Sequence, residues 1–153
     1  MPLKIATQAP DFTLPSTDGA NFTLHEHLGR PCILYFYPKD FTPGCTKEAC
    51  EFRDQFAAFR AIDIPVYGIS RDSVATHLKF KEKHQLPFDL LADLDGQVAA
   101  KYKAQIPIVG FTKRITYLLD EHHKIAAVYD SLFNANQHVH KMVGNIKTRF
   151  GEI

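Results

Sequence analysis

This sequence has almost no excess of charge. Its 18 Lys and Arg stand against 17 Asp and Glu, a formal net charge of +1, so no broad positive field draws in nucleic acid or an anionic membrane surface. Cysteines are few, three in all. A chain of this length buries about two-thirds of its unfolded surface without staples, and with an odd count it does not read as a secreted disulfide scaffold. No apolar run approaches the ~20 residues of a membrane span. The opening "MPLKIATQAPDFTL" lacks the long apolar core of a signal peptide. A reducing cytoplasm is the expected setting, and there a cysteine pair is more often catalytic or metal-binding than structural. Gly-x-Gly-x-x-Gly and phosphate-loop patterns are absent. Clean zinc spacings are absent too, although the eight His include pairs at 25/27, 122/123 and 138/140. His122 and His123 fall in a predicted turn and are expected in solvent. "STDGA" and "LADLDG" are turn chemistry without the spaced ligands of a calcium loop. "KFKEKH" reads as a solvated helix face, too short to hold nucleic acid. No metal or other cofactor is expected, and neither is a nucleic-acid or membrane partner.

What is present is the composition of one ordinary globular domain, 153 residues with 45% apolar and 23% charged side chains. Residues 1–153 show no repeat and no linker. Two short alternating segments flank Asp18-Gly19 and predict a β-hairpin or a wide turn. "CILYFY" (32–37) predicts a buried central strand, stopped by Pro38. From Pro43 to about Ala61 the pattern is helical, with Thr42 as a cap and Phe52, Phe56 and Phe59 on one face. Strands are predicted at 64–70, 88–93, 114–120 and 125–130, the last two as an antiparallel hairpin. Helices are predicted at 73–86 with Ser73 as cap, at 96–102 and at 134–150. This order implies an α/β three-layer sandwich. It matches a thioredoxin-like core with an added N-terminal β-hairpin.

"TPGCTKEAC" (42–50) carries two of the three thiols. With Thr42 as cap, Cys45 is the third helical residue, where unpaired N–H groups and the positive end of the helix dipole favour the thiolate. The Thr42 hydroxyl is close enough in sequence to bond an oxygen atom near the sulfur. Pro38, with no N–H, would shield the pocket from water. On these residues alone, Thr42 as a mere cap and Cys45 as an ordinary first-turn residue remain open. Cys50 lies five positions on. Along an intact helix that offset is ~7.5 Å of rise and ~140° of turn, with Cα atoms roughly 8–9 Å apart. A disulfide needs about 4.4–6.8 Å. Either the two thiols never bond, or the first turns unwind when they do. Cys50 reads as a reserve thiol used after Cys45 has changed, or else as a buried structural cysteine. Peroxide is a reagent that makes such a change. It converts a thiolate to a sulfenic acid, which a nearby thiol condenses to a disulfide. A cation would stabilise the departing oxygen, and Arg114 supplies one if strand order brings it to the same end of the sheet. Cys32, at the start of the central strand, reads as an inert core thiol.

"YFYPKDFTPGCTKEACEFRD" closely resembles the signature of peroxiredoxins, specifically the peroxiredoxin Q or bacterioferritin comigratory protein group. "APDFTLPSTDG", "VYGISRDS" and "KRITYLLDEHHKI" extend the resemblance over most of the chain. The Pro-x-x-x-Thr-x-x-Cys pattern is satisfied by Pro38, Thr42 and Cys45, and the subgroup's Cys-x4-Cys by Cys45 and Cys50. The resemblance implies that Cys45 is the peroxidatic and Cys50 the resolving cysteine of an atypical 2-Cys peroxidase. It further implies that Thr42 and Arg114 hold the hydroperoxide, that Pro38 shelters it, and that thioredoxin or a similar dithiol protein reduces the disulfide. Phe41 departs from the small or polar residues common at its position and would add an apolar rim. Glu48 matches a family Glu that either bonds Arg114 or is a solvated helix charge. Since both thiols of a cycle lie in one chain, a monomer is expected. The alternative is a peroxide sensor that is oxidised once and passes the change to a partner. A disulfide oxidoreductase is disfavoured because Cys-x-x-Cys is missing.

Overall fold

In the computed structural model, residues 2–56, 64–106, 110–130 and 144 are described. Among these residues eleven elements run in chain order. They are β1 (Thr13–Pro15), β2 (Asn21–Thr23), a 3-10 turn (Leu24–His27), β3 (Cys32–Phe36), α1 (Pro43–Asp54), β4 (Val66–Ser70), α2 (Val74–His84), β5 (Asp89–Ala92), α3 (Gln97–Lys101), β6 (Ile115–Leu119) and β7 (Ile125–Asp130). Apart from Gly144, the predicted helix 134–150 lies outside the described residues, as do Phe59 and the end of the predicted helix 43–61. Among the described residues no helix is long and apolar enough to cross a membrane.

The larger sheet has the order β5-β4-β3-β6-β7. β3, β4 and β5 are parallel, and β6 and β7 run antiparallel to them. β3 is central, and all five of its residues are buried, which is why its sequence shows no polar alternation. Alternation persists in which core each side chain enters. Ile33 and Tyr35 join the core built with Cys45, Ala49 and Phe52 of α1 and Phe80 of α2. Cys32, Leu34 and Phe36 join the opposite core, with Phe12, Leu14 and Phe22 of the N-terminal segment and Val98 and Ala99 of α3. The molecule is therefore a three-layer sandwich. The β1–β2 hairpin pairs Thr13 with Thr23 and Leu14 with Phe22. It docks on the edge strand β5, where Thr17 N–H donates to the Leu90 carbonyl at 3.1 Å, covering backbone that an edge would expose.

Helix starts follow local chemistry. The Ser73 hydroxyl accepts from Thr76 N–H at 3.1 Å to begin α2. The Asp93 carboxylate accepts from Val98 and Ala99 N–H at 3.1 and 2.9 Å to begin α3. At the start of α1 the backbone of Thr42 is extended and Pro43 takes the first position. Thr42 takes the predicted N-cap position, though its side chain makes no cap bond there.

Candidate active site

The site forms where β3 ends and the chain turns into α1. Phe36 pairs with Ile115, so Arg114 comes to the carboxyl end of β3, level with the loop that leads to Cys45. Strand order, which the sequence did not fix, thus brings the cation to the thiol. Arg114 Nη2 donates to Cys45 Sγ at 3.4 Å, and Nη1 donates to Glu48 Oε1 at 2.6 Å. Glu48 is fully buried and Arg114 is only 7% exposed. The solvated-charge reading of Glu48 is therefore replaced by an ion pair inside the protein. Gly44 makes the approach possible, since a Cβ there would lie 2.9 Å from Arg114 Nη2. Burial pushes the Glu48 carboxyl up to about 7, with Arg114 pulling against it. Burial also opposes the Arg114 charge, but Glu48 and Cys45 more than offset this and hold it above its ordinary value.

Cys45 is 1% exposed, in the first turn of α1, and shares its stripe with Ala49 and Phe52. Cys50 lies off that stripe and is half-buried. Its Sγ is 3.9 Å from His84 Nδ1. His84 is held below its ordinary pKa by desolvation and by the charges of Lys83 and Arg53. α1 is continuous through both cysteines, and all three thiols of the chain are free. Cys32 belongs to the opposite core, and burial pushes its pKa up to about 12.

The loop before α1 is fixed by a network that the sequence reading missed. Asp40 N–H donates to Asp72 Oδ2 at 2.8 Å. The Asp40 carboxylate accepts from Tyr37 Oη at 2.5 Å and lies 2.6 Å from His77 Nδ1. Both ring nitrogens of His77 thus face acceptors, Nδ1 the Asp40 carboxylate and Nε2 the Leu91 carbonyl at 3.0 Å. Asp40 and His77 side chains are both fully buried. Next to this anchor, Phe41 is held at φ 66°, a left-handed conformation that costs a bulky residue about 1–2 kcal/mol. Its ring packs edge-on against Phe80 at 5.1 Å, towards α2. Asp40, Asp72 and His77 bring three possible metal-ligand atoms within 4.8 Å of one another. The 2.6 Å separation of Asp40 from His77 is hydrogen-bond geometry, and Ser70 Oγ and the Asp40 amide already occupy Asp72. The set is therefore spent on positioning the loop.

Thr42 Oγ1 donates to the Lys39 carbonyl at 2.8 Å. Pro38 is exposed and, with Lys39, Arg71, Asp72, Phe111 and Thr112, lines a pocket of about 310 Å³. The structure thus brings Cys45, Glu48 and Arg114 into contact, with Thr42 and Pro38 on the same loop and Cys50 further along the helix. His122 is exposed as predicted. His123 is not, being 2% exposed with Nε2 3.2 Å from the Arg30 carbonyl. Its positive φ of 58° turns the ring inward. His138 and His140 lie outside the described residues.

Residues 5–128 match the model of the AhpC/TSA family. The chain is 42% identical over 152 residues to the peroxiredoxin bcp of Coxiella burnetii, covering 95% of this chain and 100% of that protein. It is 41% identical over 132 residues to the chloroplastic peroxiredoxin Q of Oryza sativa subsp. japonica, covering 86% of this chain and 61% of that protein. Among solved structures, peroxidoxin BcpB of Mycobacterium tuberculosis superimposes with a TM-score of 0.88 at 34% identity, over 96% and 98% of the two chains. Peroxiredoxin Q of Xanthomonas campestris does so with a TM-score of 0.87 at 26% identity, over 95% and 98%.

Proposed function

Because the chain belongs to the AhpC/TSA family and is a peroxiredoxin of the Q/bcp kind, we propose that it reduces hydrogen peroxide and organic hydroperoxides at Cys45. In this reading Cys50 is the resolving thiol, and thioredoxin or a similar dithiol protein is the reductant. One contact supports it above all: the Arg114 guanidinium donates to the Cys45 sulfur at 3.4 Å while Glu48 holds its other arm at 2.6 Å. A guanidinium on sulfur favours the thiolate, which is the nucleophile. It is also placed for the charge that develops as the O–O bond breaks.

The thiolate attacks the terminal oxygen of ROOH. An S–O bond forms, the O–O bond breaks, and RO⁻ leaves to be protonated, so that Cys45 becomes a sulfenic acid. The single proton of the Thr42 hydroxyl is committed to the Lys39 carbonyl, which leaves its oxygen to accept from the peroxide O–H. Pro38, on the same loop, keeps a backbone donor out of the pocket. Cys50 then displaces water from the sulfenic acid. With α1 intact the two cysteines are roughly 8–9 Å apart at Cα, so this step requires the first turns to loosen. Both thiols lie in one chain, which supports a monomeric catalytic unit. Three free thiols suit a reducing compartment such as the cytoplasm.

The test is turnover with a thioredoxin system. The wild-type protein sustains peroxide consumption and Cys45→Ser does not. Full turnover by Cys45→Ser would refute the assignment. A single rapid oxidation with no steady-state rate would replace it with the sensor reading.

A further inference from the structure

Beneath α1 lies a buried hydroxyl that none of the steps above uses. Tyr35 is 1% exposed in the middle of β3. Its ring stacks on Phe52 of α1 at 4.5 Å and on Tyr37 at 5.2 Å, and meets Phe88 edge-on at 5.9 Å. Its Oη has no hydrogen-bond partner among the described residues. Other buried phenols are satisfied: Tyr37 donates to Asp40, Tyr102 to the Pro10 carbonyl and Tyr117 to the Tyr102 carbonyl, each at 2.5 Å.

The chain makes room for Tyr35 at some cost. It pairs with Gly68 across β3 and β4, and a Cβ at Gly68 would lie 2.6 Å from Tyr35 Cζ and 2.7 Å from its Oη. Glycine inside a strand is itself unfavourable. A phenylalanine at 35 would occupy nearly the same space without a desolvated hydroxyl. Burial, and then the negative charges of Glu48, Asp40, Cys45 and Cys50, hold the phenol well above its ordinary pKa. The group therefore stays a proton donor, within the electrostatic reach of both cysteines.

We infer that Tyr35 is a positioning residue for the resolution step: its hydroxyl lacks a partner while α1 is intact and gains one when the 43–50 segment loosens, which favours the loosened state. Unwinding supplies the acceptor. Cys45, Ala49 and Phe52 of α1 pack in the same core as Tyr35, so loosening that helix admits water, which accepts from the hydroxyl. The step served is Cys45–S–OH + Cys50–SH → Cys45–S–S–Cys50 + H₂O. An S–S bond forms, the S–O bond breaks, and the thiol proton leaves with the hydroxide. This inference rests on the reading of Cys50 as the resolving thiol.

The experiment is a rapid-quench reaction of the reduced full-length protein with one equivalent of hydrogen peroxide. Sulfenic acid and disulfide are followed by mass spectrometry in the wild type and in Tyr35→Phe. The variant forms sulfenic acid at the wild-type rate and forms the disulfide on the order of tenfold more slowly, the ratio expected from relieving one buried unsatisfied hydroxyl. It also overoxidises at lower peroxide, melts no lower than wild type, and exchanges the amide hydrogens of Pro43–Asp54 more slowly. Wild-type disulfide formation together with an unslowed Tyr35→Phe overturns the role of Tyr35 alone, and so does a lower melting temperature for that variant. A wild-type protein that forms no Cys45–Cys50 disulfide overturns the resolving role of Cys50 and this inference with it.

Discussion

Cys32 and Cys45 lie on opposite faces of one sheet, each with 1% of its surface exposed. Around Cys32 the core is apolar, and its phenols donate to backbone carbonyls: Tyr102 to Pro10 and Tyr117 to Tyr102. Burial acts on that thiol unopposed and pushes it to about 12. Around Cys45 the protein buries Glu48, Arg114, Asp40 and His77 as well, and the sulfur accepts from a guanidinium. Removing charges from water is expensive and is repaid only by good pairing. The second face carries that expense beside the loop that presents Cys45. Equal burial thus yields one inert thiol and one candidate nucleophile. The difference lies in which strand ends bring charge to each.

The comparison is broken most severely at the sulfurs themselves. Cys45→Ser reduces steady-state peroxide consumption to background in a thioredoxin-coupled assay. Next in size is the cation: Arg114→Met lowers kcat/KM for hydrogen peroxide by about 100- to 1000-fold, the usual loss on removing one donor to a developing oxyanion. If Arg114 serves only the stability of Glu48, the double variant Glu48→Gln/Arg114→Met recovers the rate; the account expects it to recover stability and not rate.

Glu48 tests the electrostatics of the same face through pH. Its folded pKa is raised from 4.5 to about 7. Its contribution to stability is therefore fully present below about pH 4.5 and is lost as pH rises through about 7. Chemical denaturation across that window should show a wild-type loss of up to roughly 3 kcal/mol from this group that Glu48→Gln lacks. Parallel pH curves for the two proteins would contradict the assigned burial. The smallest effect is on the inert side. Cys32→Ala costs on the order of 1 kcal/mol of stability for the small void it leaves and leaves the turnover rate unchanged.

Much of this was legible in the sequence. β3 and the 115–130 hairpin followed from apolar runs bounded by turns, and the Pro-x-x-x-Thr-x-x-Cys pattern marked Pro38, Thr42 and Cys45. What was not legible depends on long-range pairing. Arg114 reaches Cys45 only because β6 pairs with β3 in the register Phe36 to Ile115. Asp40 and His77 are 37 residues apart, and neither carries a local signal of the other. Thr42 takes the predicted N-cap position, but its hydroxyl bonds the Lys39 carbonyl rather than a helix N–H, a competition between side-chain and backbone partners that propensity does not resolve. His123 was expected in solvent, and a single positive φ in the turn puts it inside. Tyr35 looked like one more aromatic in a buried strand. Only the packing over Gly68 shows that its hydroxyl is stranded.

A peptide map of the protein after one equivalent of hydrogen peroxide tests the central claim most directly. The account predicts a single disulfide joining the Cys45 and Cys50 peptides, with Cys32 recovered as a free thiol. Recovery of Cys45 as a thiol, or of Cys32 within the disulfide, would contradict it.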